Sequence, residues 1–226
     1  WIIDHADFPK LEALFKEADL RDVLVWDVLT ERFEVTNWLQ REFTRDADLF
    51  GAWQAGSAAH PALWLKSVHY LKKVVNGQPL VRPWWWFDRD LSGEAMADVG
   101  THLADLSLWL VAPDQAVDYA TQVQMLAAER APLLLTPEQY SAVTLTRAIP
   151  AELARYTTGG QLYYAGHNTA TYALRGVHVK LETSWEYDSE GHSDTHHSVA
   201  RGTRATVSVR QTPGTQPELF VAATNP

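Results

Sequence analysis

The chain of 226 residues contains no cysteine. Disulfides, thiolate zinc sites and thiol nucleophiles are therefore excluded, and any chemistry must use carboxylate, imidazole, hydroxyl or amine groups. Cationic residues are also scarce, because 19 Lys and Arg stand against 28 Asp and Glu and the formal net charge is -9. Since this charge repels phosphate backbones and anionic lipids at long range, we expect neither nucleic acid nor a membrane as a partner.

Long apolar runs are absent as well. The apolar stretches at 23–29 and 103–112 are too short to span a bilayer, and Asp27 and Asp105 interrupt them. The first four residues do not show the basic region followed by an apolar one that marks a signal peptide. A cytoplasmic location is the expectation that follows.

The remaining composition is that of a globular protein, with 46% hydrophobic and 21% charged residues. Apolar residues spaced by three and four predict an amphipathic helix over 7–18, with Asp7 as its N-cap. The apolar run at 23–29 predicts a strand buried on both faces of a parallel sheet. A helix followed by a buried strand closes an α/β domain. Residues 1–30 are therefore predicted to be the tail of a Rossmann domain, and residues 31–226 a second domain.

The second domain is predicted to begin with a helix over 31–42, from a helical pattern that carries Phe33, Trp38 and Phe43. A polar, turn-rich loop follows over 45–61.

The pair Asn76-Gly77 then predicts a hairpin with a type I′ turn between 63–75 and 80–82. The clearest helical pattern runs over 94–111 and stops at Pro113.

After Pro113 most of the chain is predicted to be extended, with one short helix at 137–142. The extended segments are 116–126, 161–174, 177–187, 196–201, 205–210 and 218–222. Tight turn signals such as Arg175-Gly176 favour an antiparallel meander. The predicted fold class is α+β, a large and mostly antiparallel sheet with helices on one face.

Ten tryptophans are a high number, and Trp84, Trp85 and Trp86 are consecutive. On a strand, Trp85 would face opposite to the other two. Large aromatic side chains serve cores and interfaces, and they also stack on the apolar faces of sugar rings. Both interpretations stay open, with Trp84 as a candidate substrate contact.

Asp98 and His102 are four residues apart in a predicted helix, so they share a face. An imidazole beside a carboxylate can act as a general acid or base near neutral pH. The same spacing also fits a capped helix with a structural histidine, and spacing alone does not decide between the two.

The pattern around this pair resembles the signature G-x-x-x-x-D-x-G-x-H-x-x-D-x-x-x-W of the Gfo/Idh/MocA oxidoreductases. The six matching positions are Gly93, Asp98, Gly100, His102, Asp105 and Trp109. Within that family the chain is most similar to the branch of C-terminal oxidoreductase domains, through Ser67-Val68-His69, Arg82-Pro83 and Asp194-Thr195-His196.

The resemblance implies a C-terminal domain like that of dihydrodipicolinate reductase and hydride transfer between NAD or NADP and a sugar, inositol or related polyol. It implies that His102 exchanges a proton with the substrate while Asp98 orients the substrate and the imidazole. Arg32 stands where family members enter the second domain, and it is the candidate cofactor contact. No Gly-x-Gly-x-x-Gly occurs in the sequence. We therefore expect the dinucleotide to be bound mainly by an N-terminal domain outside this chain. The chain by itself is expected to be inactive.

His69, Lys72 and Arg82 are further candidate substrate contacts, with ordinary solvated strand residues as the alternative. Asp194 and His196 belong to a polar cluster that suits either the border of the substrate cleft or a metal site. We favour the cleft and expect no metal.

Two rival functions remain open. One is a non-catalytic module of the same fold that binds carbohydrate or mediates dimer contacts. The other is a metalloenzyme built on Asp194, His196 and His102. For the enzyme itself we expect a homo-oligomer that forms through the sheet.

Overall fold

The computed structural model describes residues 3–26 and 29–224. Helix α1 (Phe8–Leu20) follows a 3₁₀ turn and buries none of its side chains, so much of its predicted apolar face stays open. Asp7 stands at the N-cap position of α1, as predicted. Its carboxylate, however, accepts a hydrogen bond from Lys10 Nζ at 2.6 Å instead of capping a backbone amide.

The strand predicted at 23–29 is not formed by the residues that the structure describes there. Val23, Leu24, Val25 and Trp26 are exposed and pair with no strand, while Asp27 and Val28 lie outside the described residues. A strand of a parallel sheet needs neighbouring strands and helices to cover it. The described part of the chain supplies none at this point.

Helix α2 (Val35–Arg45) follows a 3₁₀ turn at Thr30–Phe33 and buries a polar face. The helix predicted over 31–42 thus begins four residues later, and two apolar residues of the predicted pattern, Phe33 and Trp38, are 71% and 54% exposed. The buried residues are Thr36, Asn37, Gln40, Arg41 and Thr44. This face turns inward because it bonds to the sheet, where Gln40 donates to the carbonyl of Val207 at 3.1 Å.

The large sheet has eight strands within the described residues, in the order β10–β9–β8–β1–β7–β6–β4, with β5 beside β6. Its strands are β1 (Leu63–Lys72), β4 (Val123–Leu135), β5 (Thr157–Thr158), β6 (Gln161–Leu174), β7 (Val177–Asp188), β8 (Thr195–Arg201), β9 (Ala205–Arg210) and β10 (Glu218–Ala223). β1 runs parallel to β7, and the other pairings are antiparallel. The mostly antiparallel α+β fold is confirmed.

The predicted meander is interrupted, because β1 lies between β7 and β8. The tight turn at Arg175-Gly176 does join β6 to β7, with φ angles of 51° and 83°. Another pair of residues with positive φ angles, Asn76-Gly77, joins the two-residue strands β2 (Val74–Val75) and β3 (Gln78–Pro79). The turn at Asn76-Gly77 is therefore formed as predicted. The predicted pairing of 63–75 with 80–82 is wrong, because β1 pairs with β7 and β8 and residues 80–82 form no strand.

Two segments that were predicted to be extended are different in the structure. The segment 116–126 contains the short helix α6 (Tyr119–Gln122), and the strand that follows this helix, β4, continues beyond residue 126 to Leu135. Trp84–Phe87 form a 3₁₀ helix instead of a strand, so the alternation predicted for the tryptophans does not apply. Pro83, with its fixed φ, directly precedes this turn.

The helix predicted over 94–111 is divided into α4 (Ala95–Asp98) and α5 (Gly100–Val111), preceded by α3 (Arg89–Ser92). The predicted short helix is present as α7 (Pro137–Thr144).

Helix α5 packs Leu103, Leu106 and Leu110 against Leu63 and Leu65 of β1 in one core cluster. Burial of five such side chains contributes roughly 1.5–3 kcal/mol each. The packing fixes the start of α5 over the sheet. None of the described helices is both long and apolar enough to cross a membrane.

Candidate functional site

A cavity of about 700 Å³ lies between α2, the start of α5 and strands β1 and β8. Four of the residues singled out in the sequence line it, namely His69, His102, Asp194 and His196. Its volume is in the range that holds a small ligand. The fold thus brings together side chains that are up to 127 positions apart in the sequence.

His102 stands in the first turn of α5, and its Nδ1 is hydrogen-bonded to the carboxylate of Glu31. This bond raises the pKa of His102, and burial only partly opposes the effect. For Glu31, burial raises the pKa, but the bond to His102 outweighs it and the net pKa is lowered. The two shifts agree, because the bond stabilises a protonated imidazole beside an ionised carboxylate. With Nδ1 bonded to Glu31, Nε2 is the ring nitrogen left for a ligand.

Sequence reasoning did not single out Glu31. The tetrapeptide Thr30-Glu31-Arg32-Phe33 stood at the predicted domain entry, but no spacing connects it to residue 102. The next residue, Arg32, forms a two-point ion pair with Asp105, including Nε to Oδ2 at 2.6 Å. Because Asp105 is on α5, this ion pair fixes the Glu31 turn beside the helix that carries His102.

Asp98 ends α4 and lines a smaller neighbouring pocket of about 340 Å³ together with Trp85 and Trp86. Burial raises the pKa of its carboxyl group, while the positive charges of Arg82, His69 and His102 act in the opposite direction. Asp98 in turn raises the pKa of His102 through charge. The predicted pair therefore interacts electrostatically across the break between the two helices.

Arg82 lies against two aromatic rings that contact each other edge-to-face. Its guanidinium lies 4.6 Å from the ring centroid of Trp86 and 4.9 Å from that of Trp185. Burial lowers the pKa of Arg82, and the carboxylates of Asp98 and Asp194 oppose this shift. Stacking of this kind leaves the planar group a restricted orientation near Asp98.

Asp194 receives two hydrogen bonds on one oxygen. His69 Nδ1 lies 3.0 Å and Lys73 Nζ 2.6 Å from Asp194 Oδ2. Burial raises the pKa of Asp194, but these two bonds outweigh it and lower the pKa overall. The His69 ring is also stacked on Trp185, at 5.1 Å between centroids. His69 and Asp194 are therefore held rigidly at the cavity wall.

His196 on β8 also lines the cavity, as does Thr195 at the start of that strand. Burial lowers its pKa to about 4, so its imidazole is neutral at physiological pH. Its neighbour His197 does not line the cavity, as expected from the alternation of side chains along a strand.

Several polar atoms in the cavity wall are buried without a hydrogen-bond partner in the described structure. They are Asn37 Oδ1, Ser67 Oγ, His69 Nε2, Asp194 Oδ1 and His196 Nε2. A buried polar group left unpaired costs about 1–3 kcal/mol. A ligand or ordered water that satisfies these atoms would recover that energy.

Five candidates do not line the cavity, namely Asp98, Arg82 and Arg32, described above, and Lys72 and Trp84. Lys72 pairs with Asp188 at 2.6 Å on the exposed side of β1, and Trp84 is a partly exposed residue of the 3₁₀ turn. Neither residue is among those lining the cavity. In the part of the chain that the structure describes, no group of three or more His, Asp and Glu side chains is arranged to hold a metal ion.

The class of this domain follows from its fold together with a match to a known family. The fold is α+β, with one large and mostly antiparallel sheet. Residues 39–225 match the family model described as "Putative oxidoreductase C terminal domain". The chain belongs to this family, which confirms the Gfo/Idh/MocA-type resemblance.

Solved structures agree with this assignment. A putative oxidoreductase from Parabacteroides merdae is 36% identical, with a TM-score of 0.93 over 98% of this chain and 51% of that chain. A putative oxidoreductase from Thermotoga maritima shares the fold at 13% identity and a TM-score of 0.57, over 99% of this chain and 55% of that one.

The WlbA dehydrogenase from Bordetella pertussis, solved with NADH and UDP-GlcNAcA, also shares the fold. It is 14% identical, with a TM-score of 0.53 over 95% of this chain and 48% of that chain. The chain thus spans about half the length of these structures. No curated protein matches it.

Proposed function

We propose that this chain is the substrate-side domain of an NAD(P)-dependent oxidoreductase that acts on a sugar, inositol or related polyol. The observation that carries the proposal is the His102–Glu31 pair at the wall of a polar cavity. The fold similarity to WlbA, a protein solved with NADH and a nucleotide sugar, supports it.

His102 handles the proton in this proposal. In the direction of alcohol oxidation, its Nε2 accepts the proton of the substrate hydroxyl, and Glu31 stabilises the imidazolium that forms. In the direction of carbonyl reduction, the same nitrogen returns the proton. Glu31 holds Nδ1 and thereby fixes the tautomer and the orientation of the ring.

Asp98 is assigned a positioning role. It lines the neighbouring pocket, and it acts on His102 through its charge. Together with the stacked Arg82, it sets the electrostatic environment at the start of α5. His69, Asp194 and His196 are the proposed substrate contacts.

The residues present fit the reacting end of a nicotinamide dinucleotide, which supplies or accepts the hydride when bound. Val35, Val99 and Leu103 give the cavity an apolar side against which a flat ring can pack, beside the polar side at His69 and Asp194. The pyrophosphate would be held by residues outside this chain, because the sequence has no glycine-rich dinucleotide turn. Arg32 stays a predicted cofactor contact.

The test uses the complete gene product, titrated with NAD and NADP and assayed against a panel of sugars and inositols by absorbance of the reduced nicotinamide. We expect binding of one dinucleotide and reduction that depends on a polyol. Dinucleotide binding without turnover of any sugar or inositol, in either direction, would contradict the proposal.

A further inference from the structure

The unpartnered atoms in the cavity wall include both donors and acceptors. Asn37 Oδ1 and Asp194 Oδ1 accept, whereas the hydroxyl of Ser67 both donates and accepts. A substrate hydroxyl also does both, so a molecule with several hydroxyl groups can satisfy such a mixed set. An anionic group cannot, because it only accepts and would face two further acceptors.

The charges of the cavity wall also favour a ligand with hydroxyl groups over one with an anionic group. Glu31, Glu34 and Asp194 contribute carboxylates, and the lining contains no Lys or Arg. The nearby Lys73 is already bonded to Asp194. His196 stays neutral because burial lowers its pKa to about 4. Among the described lining residues, a carboxylate or phosphate on the substrate would therefore meet carboxylates and no Lys or Arg, and the imidazole of His102 is already paired with Glu31.

We infer that the cavity selects an uncharged, polyhydroxylated substrate over a sugar acid or a sugar phosphate, with Ser67 and His196 recognising its hydroxyl groups. This inference rests on the proposed function, since it names the substrate class of the same cavity. Ser67 is on β1 and His196 on β8, and the two residues are direct partners in the antiparallel register. Both residues line the cavity.

Calorimetric measurement of binding to the complete gene product tests the inferred substrate class. The probes are matched pairs that differ in one charged group: glucose with glucuronate or glucose 6-phosphate, and myo-inositol with its monophosphate. We expect a neutral member to bind at least about tenfold more tightly than its anionic counterpart. Equal or tighter binding of the anion overturns the inference, and so does a failure of every neutral probe to bind.

Turnover separates this inference from the proposed function. Dinucleotide-dependent turnover of an anionic sugar in preference to neutral ones would overturn the inference and leave the oxidoreductase intact. Selective binding of a neutral sugar without turnover would support the inference and count against the oxidoreductase.

Two variants with matched controls test whether Ser67 and His196 recognise the substrate. Ser67→Ala removes a hydroxyl that makes no bond within the described structure, so folding should be retained while affinity for the neutral probe falls about 3- to 10-fold. Thr183→Val is its control, because that buried hydroxyl on β7 is also unpartnered but does not line the cavity.

His196→Gln should likewise weaken binding, whereas His197→Gln on the other face of β8 should not. Unchanged affinity in both folded variants, Ser67→Ala and His196→Gln, overturns the assignment of these residues.

Discussion

At the scale of single residues, the His102–Glu31 pair shows what the sequence can and cannot predict. The signature around His102 identified the histidine as a candidate, because six positions matched in register. Its carboxylate partner was expected at Asp98, four residues away, but Glu31 makes the hydrogen bond from 71 positions away. Only the packing of the Thr30–Phe33 turn against α5 brings them together. Local spacing contains no information about such a contact.

The Glu31 contact leads to a pH prediction. In alcohol oxidation His102 must be unprotonated to accept a proton, so kcat/KM falls as the pH drops through its raised pKa. Glu31→Gln removes the charge that raises this pKa, and the acidic limb should therefore move to lower pH. The measurement is the pH profile of kcat/KM in the complete gene product.

Glu34→Gln is the control for that profile, because Glu34 lines the same cavity and is not hydrogen-bonded to His102 in the described structure. Its acidic limb should shift less than that of Glu31→Gln. An acidic limb that stays in place in Glu31→Gln would show that His102 is not the titrating base.

At the scale of elements, the strands after β5 were predicted almost to the residue, since alternation and turn residues mark their ends. Helix α2 was predicted from a pattern that carries Phe33 and Trp38, but both of these side chains are exposed. Its inward face instead carries Gln40, which accepts from the hydroxyl of Ser198 at 2.7 Å. Side-chain hydrogen bonds to a sheet leave no apolar period in the sequence, so the pattern could not reveal that face.

Gly202 lies in the turn between β8 and β9, where the loop before β1 packs against it. We expect that a larger residue cannot be accommodated at this position. A Cβ at Gly202 would lie 2.2 Å from the backbone oxygen of Phe50 and 2.7 Å from its ring. Backbone cannot move aside cheaply, so Gly202→Ala should lower the free energy of unfolding by about 1–3 kcal/mol or more. Urea denaturation measures this change.

Gly176→Asn is the matched control for that measurement. Its φ is positive, but no atom lies within 4 Å of an added Cβ, and Asn tolerates this conformation. A loss below about 1 kcal/mol is expected there. A Gly202→Ala variant as stable as the native chain would contradict the close packing described.

At the scale of the whole molecule, the chain presents apolar surface that its own described residues do not cover. Leu24 and Trp26 are 84% and 75% exposed, in the segment whose sequence predicts a buried strand. The sequence and the structure are reconciled if this segment adds to the sheet of a nucleotide-binding domain outside the chain. That domain, the boundary at residue 30 and the homo-oligomer formed through the sheet remain predictions.

Hydrogen exchange of the complete gene product tests whether residues 23–26 form a strand of such a sheet. Amides of residues 23–26 should be protected, as in a central strand, because neighbouring strands would bond to them. The amide of Gly214, which lies in an exposed turn and has no backbone hydrogen bond among the described residues, provides a rapidly exchanging reference within the same protein. Rapid exchange of 23–26 would show that the segment is a linker.

The proton-handling role of His102 is the central claim, and its most direct test is the turnover of His102→Ala in the complete gene product, with His197→Ala as the control. Loss of the general acid and base predicts a fall in kcat of about 10²- to 10⁴-fold, with little change in the Kd of the dinucleotide. His197→Ala should keep its kcat. A His102→Ala variant that turns over at the native rate would contradict the account.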